Sequence, residues 1–316
     1  MLRKSLTVAI VTSQCFLGLF NSPIRVDAAE TLRVMTFNIW GGGESGNQPM
    51  NQTIKVIQAA QADLVGIQES HGEERNGKKQ DAARAIAEKL SWHHFDQGDE
   101  GTGVISRYSI VNHTPKKWGV EVELPSGRRV WLFNVHFMHT PYQPYQLLKI
   151  PYNDAPFITT AVEAVLEARK ARGHQVARLL KEVEGVRNHG TPIFVTGDFN
   201  EPSSQDWTDA VSHANCCPLS VPWPTTVALH EAGFVDAYRE AHPDPLKKPG
   251  YTWTPITAED DPADRHDRID FVFVGGPHVR VEKAEVVGER PERADIIVTP
   301  YPSDHRGVVA TVVIDQ

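Results

Sequence analysis

A set of polar residues closes otherwise apolar runs, and their types are those of acid–base and metal chemistry. Asn38 ends "RVMTFN", Glu69 follows "LVGIQ", and Asn134 and His136 sit in "NVHF". Asp198 and Asn200 lie in "TGDFN", Asp270 in "RIDFVF", and Asp304 with His305 in "SDHRGVV". Singly, such a residue is a turn former, a cap or a hydrogen-bonded core group. Asp198 and Asn200 show both readings. Strand alternation puts them on one side, where they either cap the next turn or point together into a pocket. Repetition along the chain, with almost no lysine at these positions, favours a shared pocket.

Burying several acids together costs several kcal/mol per ion unless a cation compensates. Glu69, Asp198, Asp304 and neighbouring amide oxygens are hard oxygen ligands of the kind that suits magnesium, with manganese or calcium as alternatives. His136 and His305 supply acid–base or phosphate-contacting groups, and Asp270 is available to orient a histidine.

The elements that must carry these residues are visible as short apolar runs. Leu32–Ile39, Asp63–Ile67, Gly103–Ile110, Arg129–Phe137, Pro192–Val195, Ile269–Val274, Val281–Val287 and Gly307–Ile314 read as strands. Helical spacing lies between them. Ile54, Ile57 and Ala60 form one stripe, and Ala82, Ala85, Ile86, Lys89 and Leu90 another. The segment from Thr160 to Val186 has Val162, Val165, Leu166, Val176, Leu179, Leu180 and Val183 as its apolar face and Gly173 as a bend, and Ala228 to Glu240 is a shorter helix. Strands such as "RVMTFNIW" and "DFVFV" are apolar on both faces. They need a second sheet on one side and helices on the other. The Tyr/Pro-rich segment "HTPYQPYQLLKIPYNDAP" reads as a long functional loop.

In this order, "TFNIW", "GIQES", "GVISR", "NVHF", "TGDFN", "YTW", "DRIDFVFV" and "SDHRGV" resemble the endonuclease/exonuclease/phosphatase superfamily, from about Leu32 to Ile314. That resemblance implies an α+β fold, a four-layer α/β/β/α sandwich with two central β-sheets face to face and outer helices. It implies a metal-dependent phosphoric ester hydrolase in which Glu69 is the main metal ligand, helped by Asn38 and Asp304. Asp198 then orients or deprotonates the attacking water, while Asn200 and His136 hold phosphate oxygens. His305 paired with Asp270 acts as general base or stabilises the transition state, with Asp267 the alternative partner. Arg107 reads equally as a substrate contact or a structural ion pair. Trp253 reads as packing, and no role attaches to His139, Tyr145 or His266.

Arg3 and Lys4 before the apolar stretch Leu6–Phe20, with Val26 and Ala28 beyond it, read as a secretory signal peptide over residues 1–28. The expectation is a secreted or periplasmic enzyme whose single domain runs over residues 29–316. Removing the signal's net +2 takes the formal charge from −8 to −10. No stretch reads as a transmembrane helix, and nothing points to an obligate protein partner. The adjacent Cys216 and Cys217 are no disulfide scaffold, and no further thiol in the mature chain is available for a zinc thiolate site. The acidic balance argues against a protein that coats nucleic acid by charge. Together with Tyr142, Tyr145 and Tyr152 as a stacking surface, it favours a small phosphodiester or phospholipid head group. An extracellular nuclease acting on DNA or RNA is the alternative, and a non-catalytic binding module on the same fold a minor one.

Overall fold

The computed structural model describes residues 29–75, 77–98, 101–187 and 190–315; the signal-peptide reading falls on residues 1–28, outside the described ones. One sheet has the order β14 (Ile296–Ile297), β13 (Val279–Gly288), β15 (Gly307–Ile314), β1 (Glu30–Asn38), β2 (Leu64–Gln68), β6 (Gly103–Ser106) and β5 (His93–Asp96). The other has the order β11 (Val235–Asp236), β12 (Asp270–Gly275), β10 (Ile193–Asp198), β9 (Arg129–His136), β8 (Gly119–Glu123) and β7 (Ser109–His113). A hairpin of β3 (His71–Arg75) and β4 (Lys78–Asp81) stands apart.

Side-chain alternation explains the layering. In β1, Leu32 and Val34 join Leu132, Phe194, Val272 and Val308 in a core between the sheets. Met35 and Phe37 of the same strand face the other way, onto α1 (Met50–Ala59) and α2 (Ala82–Leu90). In the second sheet, Phe133, Val195, Phe271 and Phe273 face outward onto α4 (Ala161–Val186) and α6 (Pro224–Glu231). Helices, sheet, sheet, helices make the four-layer sandwich. The shorter helices α3 (Gln143–Leu148), α5 (Asp209–His213) and α7 (Ala237–Ala241) fill the connections.

The same alternation builds the floor of the site. Following the inward-facing positions toward one end of each strand, apolar residues give way to Thr36, Gln68, Asn134 and Thr196, all at most 1% exposed. These lock the sheets together: Gln68 Nε2 donates to Asn134 Oδ1 at 2.6 Å, Thr196 Oγ1 to Asn134 Oδ1 at 3.2 Å, and Asn134 Nδ2 to the Ile67 carbonyl at 2.9 Å. Gly66 is required here, because a Cβ would lie 2.0 Å from Thr196 Oγ1 and 2.4 Å from Asn134 Oδ1. Asn134 is thus an inter-sheet tie. Two residues farther along, the same faces present Asn38, His136 and Asp198.

Several expectations shift. Gly103–Ile110 is two strands in different sheets, because Ser106 Oγ turns the chain by accepting from Tyr108 N at 2.9 Å. Ala228–Glu240 breaks at Gly233 (φ 81°), and Asp236 then caps α7 through Tyr238 N and Arg239 N. Helix α4 runs unbroken through Gly173. Its buried face is Ala164, Ala168, Arg172, Val176, Leu179 and Val183, while Val162 and Leu166 are exposed. The Tyr/Pro loop contains α3, and Tyr142 and Tyr145 are only 3% and 7% exposed. They do not form a stacking surface. Their hydroxyls are tied to Asp267 and Asp264, and their rings pack on Trp253.

Candidate active site

Strand register places the acids and histidines side by side. Asp198 is the last residue of β10, opposite Asp270 on one neighbour and His136 on the other. His305 enters just before β15 and lies with Nδ1 2.9 Å from Asp270 Oδ2 and Nε2 3.7 Å from Asp198 Oδ2. Asn38 Nδ2 donates to the same Asp198 oxygen at 3.0 Å, and His136 Nε2 lies 3.4 Å from it. One carboxylate oxygen is therefore the centre of an asparagine and two histidines.

Asp198 also caps the turn. Its other oxygen accepts the Asn200 N–H at 2.9 Å, the turn-capping contact of "TGDFN". Asn200 lies beyond the strand with φ 50°. Its Nδ2 is taken by the Phe137 carbonyl at 3.1 Å; that bond ties two loops.

Glu69 follows β2 in a left-handed conformation, φ 53°. Its Oε1 accepts from Asn38 Nδ2 at 3.1 Å and its Oε2 from Gly41 N at 2.7 Å. The loop after Trp40 also packs closely on the segment that follows Glu69: at Gly42 (φ 70°) a Cβ would lie 2.3 Å from the Gly72 Cα. Trp40 N–H is only a donor, so the Asn38 oxygen that receives it at 3.0 Å is fixed in place and Nδ2 must face the carboxylates. Asn38 in this position orients Glu69 and Asp198.

The electrostatics divide the cluster in two. For Asp198, burial opposes the charge, but His305 and His136 outweigh it and push the carboxyl down to about 2. For His305, burial opposes protonation, but Asp270 and Asp198 lift the imidazole to about 10. Burial also raises the Asp270 carboxyl. The two shifts compete for one proton, and it rests on His305, which has two anionic neighbours to Asp270's one cation. His136 is likewise raised: burial works against it, and the contact with Asp198 prevails.

The other half is anionic and under-compensated. Burial raises the Asp304 carboxyl to about 6; His305 opposes this and Glu69 adds to it. Asp304 Oδ1 is buried without a hydrogen-bond partner. An orphaned carboxylate oxygen beside a second carboxylate fits a hard divalent cation. Asp198, Asp270 and His305 also have ligand atoms within 4.8 Å of one another. Glu69 and Asp304 are the candidates to hold such a cation, and His305 bridges Asp270 and Asp198.

Other singled-out residues lie apart. Asp267 accepts from Trp207 Nε1 at 2.9 Å and Tyr142 OH at 2.8 Å, and its pKa is raised by burial. Arg107 pairs with Asp63 at 3.5 Å, next to the start of β2 and so at the opposite end of that strand from Glu69. His266 meets Thr257 Oγ1, and His139 faces Tyr152. Trp253 is partly exposed, with its ring centroid 6.4 Å from that of His305. Composition gave no sign of the buried Arg172–Glu201 pair described below.

The Endonuclease/Exonuclease/phosphatase family matches residues 35–305. Uncharacterized protein F14F9.5 of Caenorhabditis elegans is 28% identical over 300 residues, covering 88% of this chain and 90% of that one. Among solved structures, an endonuclease/exonuclease/phosphatase from Beutenbergia cavernae aligns with TM-score 0.56 at 21% identity, over 90% of this chain and 72% of that one. The 3′ phosphatase NExo from Neisseria, bound to a product DNA hairpin, aligns with TM-score 0.56 at 19% identity, over 88% and 98%. Truncated TDP2 of Caenorhabditis elegans aligns with TM-score 0.54 at 20% identity, over 89% and 97%. These likenesses show the fold.

Proposed function

The chain belongs to the endonuclease/exonuclease/phosphatase family, and on that premise we propose that it is a divalent-metal-dependent phosphoesterase that hydrolyses a phosphodiester bond. The observation that carries the reading is the buried line Asp270–His305–Asp198, with His305 Nδ1 2.9 Å from Asp270 and its other nitrogen turned to the site.

In this reading Asp198 Oδ2 accepts a hydrogen bond from the attacking water and aligns it with phosphorus. The carboxylate is a weak base, so the proton reaches it only as the water oxygen bonds to phosphorus; the ester P–O bond breaks in the same step and the leaving oxygen takes its proton from solvent. His305 Nε2–H donates to a non-bridging oxygen as that oxygen gains charge, and the ring's own charge is held by Asp270. His136, whose Nε2 lies 3.4 Å from the same Asp198 oxygen, is a further donor to the phosphate oxygens. A divalent cation held by Glu69 and Asp304, magnesium before manganese or calcium, would neutralise the phosphoryl oxygens. Asn38 holds Glu69 and Asp198 in register with each other.

For substrate, the reading favours a small phosphodiester or a phospholipid head group. The support for it is the acidic balance of the chain, formally −8, since a polyanionic duplex is gripped by basic side chains. Among the described residues no helix is long and apolar enough to cross a membrane. Export to the periplasm or the exterior, followed by action as one domain over residues 29–316, rests on the sequence of residues 1–28.

The test is hydrolysis of sphingomyelin, simple aryl phosphodiesters, DNA and RNA with magnesium, then with chelator. Magnesium-dependent release from the small diesters or sphingomyelin supports the reading. No hydrolysis of any ester overturns it, and cleavage confined to DNA or RNA replaces the substrate assignment with a nuclease.

A further inference from the structure

Arg172, Arg268 and Arg306 are the charged side chains among the largest fully buried ones. Arg268 binds Asp206 and Asp236, and Arg306 binds Glu289, each within two residues of a motif acid or histidine. Arg172 is different. It comes from the middle of α4 and reaches the two segments that leave β9 and β10.

Those strands last pair at His136 and Asp198. Beyond that point Phe137 N donates to the Asp198 carbonyl at 3.0 Å, and Asn200 Nδ2 to the Phe137 carbonyl at 3.1 Å. Arg172 adds further ties. Its Nε donates to Glu201 Oε2 at 3.0 Å, its Nη1 to the Met138 carbonyl at 3.0 Å and the Pro141 carbonyl at 3.4 Å, and its Nη2 to Gln143 Oε1. Glu201 in turn accepts Thr225 N–H at 2.7 Å, at the start of α6. Both side chains of the ion pair are 0% exposed.

A guanidinium presents a rigid fork of donors that can meet a carboxylate, two carbonyls and an amide from one point, which an ammonium cannot. Depth does not make such a pair stabilising, since well-packed apolar replacements are often neutral or better. Geometry is what the clamp provides. We propose that Arg172 is a positioning residue that sets the separation of His136 and Asp198, 3.4 Å between Nε2 and Oδ2. Its catalytic consequence rests on the hydrolysis proposed above. Misplacement by about 1 Å costs on the order of 10²-fold in rate.

The test is the double variant Arg172→Met/Glu201→Gln, which removes both charges together, keeps similar volumes and leaves an oxygen for Thr225 N–H. Three quantities are read: the thermal midpoint, kcat and KM on the best diester, and hydrogen exchange at the Phe137 and Asn200 amides. The expected result is a cooperative melt, kcat lower by roughly 10–100-fold with KM within about twofold, and exchange faster by about tenfold or more at those two amides but not at Val195. Arg172→Lys, which keeps the charge, should show the same loss; if the double variant does not fold, it carries the same readouts. Wild-type exchange at both amides, or wild-type kcat alongside faster exchange, overturns the proposal. If the parent enzyme hydrolyses no ester, the hydrolysis reading fails, and the exchange measurement still decides whether Arg172 sets the geometry.

Discussion

His305 Nδ1 sits 2.9 Å from Asp270 Oδ2, and that contact aims the opposite ring nitrogen at Asp198. His305→Ala and Asp198→Ala should each lower kcat by about 10²–10⁴ with the fold intact, as for charge-stabilising groups. Asp270→Asn keeps an acceptor for Nδ1–H but loses the charge, so its effect on kcat should be smaller than that of His305→Ala. Asp267→Asn should leave kcat nearly unchanged and lower the thermal midpoint, since Trp207 and Tyr142 lean on that carboxylate. Steady-state kinetics on the four variants decide it; a crippling Asp267→Asn beside a silent Asp270→Asn would refute the assignment.

Chelation should abolish turnover, and magnesium or manganese should restore it. Glu69→Gln should raise the metal concentration needed for half-maximal rate, with partial rescue by excess metal. Asp304→Asn should lose activity yet raise the thermal midpoint of the chelated protein. The buried Asp304 Oδ1 has no partner, and each kcal/mol recovered is worth about 2–4 °C in a domain of this size. A lower midpoint in Asp304→Asn would remove the reason for assigning a cation there.

Gly66→Ala tests the floor. The added Cβ would press on Thr196 Oγ1 and Asn134 Oδ1, and overpacking of this kind costs about 1–3 kcal/mol. Denaturant unfolding should show that loss, and a neutral Gly66→Ala would mean the polar layer yields easily.

His94 supplies a pH dependence away from the site. Burial lowers its pKa below 6.5, with Asp81 3.3 Å away only partly opposing. The unfolded chain therefore binds more protons than the folded one below that value. Stability from this group is present above about pH 6.5 and falls as the pH drops toward the folded pKa. Thermal midpoints of the parent between pH 5 and 7 should decline more steeply than those of His94→Gln, and parallel curves would contradict it.

Turnover of the small diester should vary little between low and moderate salt at fixed magnesium. A nuclease gripping several phosphates would instead weaken steeply with salt. Plasmid cleavage that collapses as salt rises would make this a nuclease.

The sequence by itself determined the sandwich and the strand-end residues. Apolar strands with two buried faces demand two covers, and alternation then forces Thr36 and Asn38, Asn134 and His136, and Thr196 and Asp198 onto the faces between the sheets. That is a local, periodic signal. The fates of Asn38, Asn134 and the tyrosines were not local. Asn134 became a tie because Gln68 and Thr196 arrive from other strands, and Asn38 turned its nitrogen inward because Trp40 N–H occupies its oxygen. Tyr142 and Tyr145 were buried by Asp267, Asp264 and Trp253, more than a hundred residues away. Arg172 lies on the buried face of α4, where helical periodicity reads a charge as solvent-facing, and the Glu201 carboxylate with the Met138 and Pro141 carbonyls allows it to stay. Which polar group is a tie, a ligand or a clamp depends on partners brought from elsewhere in the chain, and tertiary structure alone supplies them.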